Sequence, residues 1–267
     1  MTKPQIIFLG NGPLADAALS ELKTRCDIIF HAHVKDDLEE VVSLKQKHPH
    51  AHAVLASFGV IIPSNVLDVF EPTGIINIHP SLLPKYRGPS PIETAILNGD
   101  TTFGTSVMKL APEMDAGPLY FQTTYTPDDP TLPDLKSHLY YQLATLGAHW
   151  LNKNFTQLPT PVPQNRNQAT FTKKLTKKDG ILAPDKHPAS VILRQIIAYQ
   201  DFPKPKYTLE DTECTILSAH IATPTETPLL SLTCQDGIKI AIDLLQPANR
   251  RPMDAKSFLN GLKANVS

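Results

Sequence analysis

The chain has 267 residues, 41% hydrophobic and 19% charged, with a formal net charge of −1. No apolar run approaches the ~20 residues of a membrane span, so no membrane role is expected, and Met1-Thr2-Lys3-Pro4-Gln5 enters a strand-like run with no leader pattern. Cys26, Cys214 and Cys234 are scattered, with no C-x-x-C spacing, and read as reduced thiols of a cytoplasmic protein, forming neither a disulfide framework nor a zinc site.

In chain order, residues 5–10 form a short apolar run closed by Gly10-Asn11-Gly12-Pro13, the pattern of a buried first strand turning into a helix over 14–24. A second strand is expected at 28–34, a helix at 37–47, a third strand at 51–56, a helix at 65–70 and a fourth strand at 74–78. Strands alternating with helices predict a parallel, doubly wound α/β sheet. A helix over 91–98 with Pro91 in its first turn, strands at 104–110 and 119–125, and a long helix over 132–154 continue the pattern.

Residues 157–163 are Pro-rich and mark a boundary. Beyond it come a helix at 191–199 and strands at 207–209, 214–221, 229–234 and 238–245, with Gln235-Asp236-Gly237 as a hairpin turn. A last helix over 254–262 has Asp254 as its N-cap. This part reads as a small β-barrel or sandwich. The expected division is a catalytic domain at 1–158, a linker at 159–187 and a C-terminal domain at 188–267. Charge follows that division. Residues 1–158 carry 11 Lys/Arg against 16 Asp/Glu, residues 159–187 carry 6 against 2, and residues 188–267 carry 8 of each. The basic middle segment is either a solvated linker or a polyanion contact.

Chemistry-bearing residues gather around the fourth strand. Asn77 and His79 are two apart, so on a strand their side chains share a face at its carboxyl end, where open α/β sheets bind ligands. Asp115, on the loop after the next strand, is placed to return to the same crevice. The amide suits an oxyanion, the imidazole moves protons near neutral pH, and the carboxylate is expected to orient the imidazole through its second nitrogen. On residue type alone, a His before a Pro at a strand end is more often a structural hydrogen-bonding group, and an Asp two residues before a Gly, as Asp115 is, more often a turn former. Gly10-Asn11-Gly12 with Asp36 invites a dinucleotide reading, yet the same turn suits any first strand feeding a helix. His48, His50 and His52 look like a metal cluster but read better as a surface tract, and no metal is expected.

Asn77-Ile-His79-Pro-Ser-Leu-Leu-Pro-Lys-Tyr-Arg-Gly88, the following Pro89-Ser-Pro-Ile92, Ala56-Ser57-Phe58-Gly59 continuing to Ile62-Pro63, and Met114-Asp115-Ala-Gly117 resemble the formyltransferases that use 10-formyltetrahydrofolate. The resemblance is strongest to the branch whose acceptor is methionyl-tRNA. Residues 88–100, residues 171–180 and Leu245-Gln-Pro-Ala-Asn-Arg-Arg-Pro-Met253 carry it across nearly the whole chain. It implies a Rossmann-like catalytic domain, an OB-like C-terminal β-barrel that helps hold tRNA, and catalysis by Asn77, His79 and Asp115. It also implies a folate wall of Ser81, Leu82, Leu83 and Pro84. Pro80 and Pro84 stiffen that loop, so the backbone groups of Leu82 and Leu83 are expected to meet a flat pterin. The implied partners are 10-formyltetrahydrofolate and initiator Met-tRNA, and the chain is expected to act as a monomer. Other users of the same centre are a sugar-nucleotide N-formyltransferase, a single-domain glycinamide ribonucleotide formyltransferase and a formyltetrahydrofolate hydrolase. Relatives acting on methionyl-tRNA usually carry a basic insertion after the second strand. Here His31-Ala-His-Val-Lys-Asp-Asp37 runs straight into the next helix.

Overall fold

The apolar run Gln5–Gly10 is β1, a fully buried strand apart from its first residue. In this computed structural model, which describes residues 3–264, it is followed by α1 (Gly12–Leu22), β2 (Asp27–Ala32), α2 (Leu38–Lys47), β3 (His52–Ala56), α3 (Ser64–Asp68) and β4 (Ile75–His79). Then come α4 (Pro91–Asn98), β5 (Phe103–Lys109), β6 (Leu119–Tyr125) and α5 (Leu135–Asn154). The strands form one sheet in the order β2-β1-β3-β4-β5-β6. Its two faces bury separate clusters. Ile6, Phe8, Ile76 and Ile78 pack with Leu14 and Ala18 of α1 and with Ala148 and Leu151 of α5. Ile7, Leu9, Leu55 and Ile75 pack on the other side with Leu38 and Val41 of α2 and Val66 and Leu67 of α3. Helices on both faces make the sheet doubly wound and Rossmann-like.

The sheet is mixed, which corrects the expectation of a parallel one. β1 to β4 run parallel, whereas β5 pairs antiparallel with both β4 and β6. His79, the last residue of β4, lies opposite Ser106, and Ile76 lies opposite Lys109. The chain therefore leaves β4 at its carboxyl end and re-enters beside that end, with no crossover to reverse it. Apolar patterning records burial and not strand direction, so the sequence had no means of announcing this.

The second unit takes Glu93–Thr101, Asp128–Lys136 and the chain from Lys174, while residues 159–173 belong to the first. It holds α6 (Ala189–Ala198), β7 (Lys206–Leu209), β8 (Thr212–Ile221), β9 (Ser231–Thr233), β10 (Lys239–Pro247), β11 (Met253–Asp254) and α7 (Ala255–Ala264). The strands form an antiparallel sheet in the order β11-β10-β8-β7, with β9 also on β10. Irregular register at Ile242 to Leu245 curls it into a half-barrel. Ile192 and Ile196 of α6 are buried, as are Ile216, Ile240 and Leu245 of the sheet. The turn at Gln235 to Gly237 joins β9 to β10, and Gly237 takes φ 77°. Asp254 caps α7 by accepting the Ser257 N–H at 2.7 Å.

Gly10 shows why the opening turn carries glycine. A Cβ there would overlap the Ala56 carbonyl oxygen of β3 and press on Ala15 of α1 at 2.8 Å. Close packing of strand, strand and helix thus accounts for this position. Gly10→Ala is expected to lower stability by about 1–3 kcal/mol through overpacking, read as an earlier urea midpoint. An unchanged midpoint would contradict it.

Candidate active site

Because β4 pleats with a period of two, Ile76 and Ile78 enter one core cluster while Asn77 and His79 point to the opposite face. Both are 5% exposed. Among the described residues the Asn77 side-chain amide makes no hydrogen bond to the protein, and it is not one of the fully buried unpartnered atoms, so it stays open to solvent or a ligand oxygen. His79 Nε2 lies 3.1 Å from the Tyr86 carbonyl oxygen. A carbonyl only accepts, so Nε2 carries the hydrogen and Nδ1 of the neutral ring holds the lone pair. Nδ1 faces Asp115, with Oδ1 3.8 Å away.

The structure brings His79 and Asp115 face to face, with one change from the expected wiring. The ring is anchored by a backbone carbonyl, and Asp115 stands across from the free nitrogen beyond hydrogen-bond distance. Asp115 is itself fixed, since its Oδ2 accepts the Gly88 N–H at 2.8 Å. Its backbone takes φ 48°, a left-handed conformation costly for a residue with a Cβ. Gly117 closes the same loop, and a Cβ there would overlap the Lys109 carbonyl oxygen.

The loop after β4 is rigid for reasons beyond its prolines. Ser106 Oγ donates to the Ser81 carbonyl at 2.5 Å and accepts the Leu83 N–H at 3.1 Å. Gln122 Nε2 donates to the Leu83 carbonyl at 2.8 Å and to Ser106 Oγ at 2.9 Å. Ser81 Oγ donates to the Lys85 carbonyl at 2.7 Å, and the Lys85 N–H donates to the Leu82 carbonyl at 3.0 Å. Leu83 thus spends both backbone groups inside the protein, contrary to the expectation that they face a pterin. Leu82 and Pro84 remain half-buried at the loop, with Ser81 and Leu83 buried beneath. The segment ahead of 173 braces the far side. Thr170 and Thr172 exchange backbone hydrogen bonds with Arg87, and Thr170 Oγ1 accepts the Tyr86 N–H at 2.9 Å. Ser106, Gln122 and Thr170 carried no sequence signal, since each acts on backbone atoms of a distant loop.

Other candidates separate. His48 Nδ1 bonds Gln5 Oε1 at 3.1 Å, whereas His52 stacks near Phe155 with centroids 5.0 Å apart, and burial pushes its pKa down. Among the described residues no group of three metal-ligating side chains occurs. After β2, Asp37 Oδ2 accepts the N–H groups of His33 at 2.6 Å and Val34 at 3.0 Å, closing a short turn. Those two donors, Val34 first, hold its carboxyl below the usual range.

An amide donor, an imidazole with a free lone pair and a carboxylate on one side of the sheet are groups suited to assisting attack by a bound nucleophile. That is the chemistry of a group-transfer enzyme. The profile described as formyl transferase matches residues 17–152, and that of the formyl transferase C-terminal domain matches residues 174–263. The chain belongs to the formyl transferase family and is an enzyme of formyl transfer. A methionyl-tRNA formyltransferase of Roseiflexus castenholzii is 36% identical over 226 residues, covering 79% of this chain and 70% of that protein. The solved methionyl-tRNA formyltransferase from Clostridium thermocellum has a TM-score of 0.69 at 15% identity, covering 92% of this chain and 99% of that one. HypX from Aquifex aeolicus, solved with tetrahydrofolic acid, has a TM-score of 0.71 at 16% identity, covering 96% of this chain. The present chain spans 46% of that HypX. At these identities the two structures speak for the fold alone.

Gly117→Ala forces the Asp115 loop off Lys109. It is expected to cut formyl transfer by about 100-fold while the thermal transition persists; wild-type turnover would contradict this geometry.

Proposed function

We propose that the enzyme moves the formyl group of 10-formyltetrahydrofolate to the α-amino group of initiator methionyl-tRNA, as a monomer in the cytoplasm, supporting translation initiation. Catalysis is assigned to residues 1–158, and tRNA holding to the 159–187 linker with the 188–267 domain. One observation carries the reading: His79 Nε2 is tied to the Tyr86 carbonyl, so Nδ1 and Asp115 face each other, with Asn77 two residues back on the same face of β4. The open Asn77 amide suits a formyl oxygen, and the braced loop of Ser81, Leu82, Leu83 and Pro84 fits one flank of a flat folate. The folate supplies an activated formyl carbon when bound.

The residues then divide the work. Asn77 donates a hydrogen bond to the formyl oxygen as negative charge builds on it. The attacking α-amino group titrates near ~8, so a usable fraction is neutral at pH 7. His79 Nδ1 takes the proton that the amine sheds as the C–N bond forms. It returns that proton to the departing folate nitrogen as the old C–N bond breaks. Asp115 offsets the positive charge on the imidazole between those events. Methionyl-tRNA is favoured over a sugar nucleotide because relatives of that name match across both parts of the chain and the basic cluster lies between those parts in sequence.

Single-turnover formyl transfer tests the roles. Asn77→Ala is expected to slow it by about 10²–10³-fold and His79→Ala by about 10²–10⁴-fold, with Asp115→Ala also strongly slowed. Near-wild-type rates at saturating folate would refute the assignment. On the acceptor side, Lys173, Lys174, Lys177 and Lys178 are exposed. Neutralising all four is expected to weaken tRNA binding. The slope of log affinity against log salt is expected to flatten by about 0.7–0.9 for each phosphate that a lysine no longer neutralises. Unchanged affinity would remove the linker from tRNA recognition.

A further inference from the structure

Gln164 lies in an irregular stretch that reads as linker in the sequence. Its side-chain amide is fully used. Oε1 accepts from Arg87 Nη2 at 2.7 Å and from Arg87 Nε at 3.1 Å. Nε2 donates to the Gly117 carbonyl at 2.7 Å and to the Asp115 carbonyl at 2.8 Å. The orientation of the amide is unambiguous, since a guanidinium only donates and a carbonyl only accepts. Arg87 is 1% exposed and is among the largest fully buried side chains. Its remaining arm, Nη1, reaches the exposed Glu113 at 3.6 Å, and Glu113 also pairs with Arg166 at 3.4 Å.

These contacts close a ring. Asp115 Oδ2 holds the Gly88 N–H; Gly88 follows Arg87; Arg87 holds Gln164; and Gln164 holds the Asp115 carbonyl. The loop it fixes is the one with Asp115 in a left-handed conformation. A strained residue keeps such a backbone only where its surroundings over-determine it. Val162 makes a reciprocal pair of backbone hydrogen bonds with Leu119, both 2.8 Å, which sets Gln164 beside the loop.

We propose that Gln164 and Arg87 are positioning residues that set the Asp115 carboxylate against His79 Nδ1. They act on turnover through Asp115 and touch neither substrate. The proposal rests on Asp115 serving formyl transfer, and its test is built to fail separately from that reading.

The test is a set of steady-state and single-turnover measurements on the full chain. Gln164→Met is expected to lower kcat by about 10–100-fold, the scale of a small misplacement of a reacting group, with KM for folate and tRNA changed less than about threefold. In an Asp115→Asn background the same substitution is expected to add less than about threefold, because the group it positions is already disabled. Gln164→Met strands a buried guanidinium and is open to misfolding, so Arg87→Met combined with Gln164→Met is the second variant. Removing both spares the penalty of the stranded guanidinium while the Asp115 and Gly117 carbonyls still lose their donor, so the pair is expected to recover part of the melting temperature lost by Gln164→Met while kcat stays low. Recovery of kcat along with stability would reduce the network to a structural role and overturn the proposal. So would a Gln164→Met effect that is undiminished in the Asp115→Asn background, or one confined to KM. Should Asp115→Asn alone leave turnover unchanged, the underlying reading fails instead.

Discussion

The hydrogen bond from His79 Nε2 to the Tyr86 carbonyl decides what the site is able to do. It fixes the tautomer, and with it the nitrogen left for proton transfer. Making that bond obliges the chain after β4 to curl back within seven residues, so that a backbone acceptor meets the ring it has just passed. Much of the bracing around the loop serves that curl. Ser106 and Gln122 hold it from the sheet, and Thr170 holds Tyr86 from the other side. A carbonyl suits the task because it has no alternative protonation state and no rotamer. The ring is held, and in the proposed mechanism Asp115 offsets the charge that develops at Nδ1.

Parts of this were legible in the sequence and parts were not. β1, α4 and β6 begin and end where their apolar runs and flanking Gly and Pro place them. The long helix starts at Leu135 and not 132, because Pro133 lies in the three residues before it. The side-by-side placement of Asn77 and His79 follows from strand pleating alone. The nearness of Asp115, 36 positions on from His79, follows less directly: its place on the loop after the next strand allowed a return to the same crevice, and the motif resemblance joined the two. The reversal of β5 left no trace in composition. Tyr86 contributes a carbonyl, which any residue has, so no side-chain pattern could mark it. The Leu83 backbone was expected to be free and is consumed by Ser106 and Gln122, two side chains distant in sequence whose reach becomes visible only in three dimensions.

The two substrate sides of the site are built differently. The loop proposed to flank the folate is stiff, its backbone held by Ser106 and Gln122, so a folate bound there would meet a surface already in place. The proposed acceptor side rests on charge. Asp37 seals the turn after β2 with two backbone donors, which leaves no basic loop at that edge, and positive charge is concentrated instead between residues 166 and 186. A preorganised donor pocket with a diffuse electrostatic hold on a polyanion suits one small, fixed co-substrate and one large substrate gathered at long range.

The fate of the formyl group tests this mechanism most directly. Purified protein given 10-formyltetrahydrofolate with a labelled formyl carbon should be offered methionyl-tRNA, an amino-sugar nucleotide, or no acceptor, and the label followed in each. Label is predicted on the methionyl-tRNA amine, with little on the sugar and little released as formate. Label moving to the sugar, or to formate at the same rate without an acceptor, would contradict the proposed transfer.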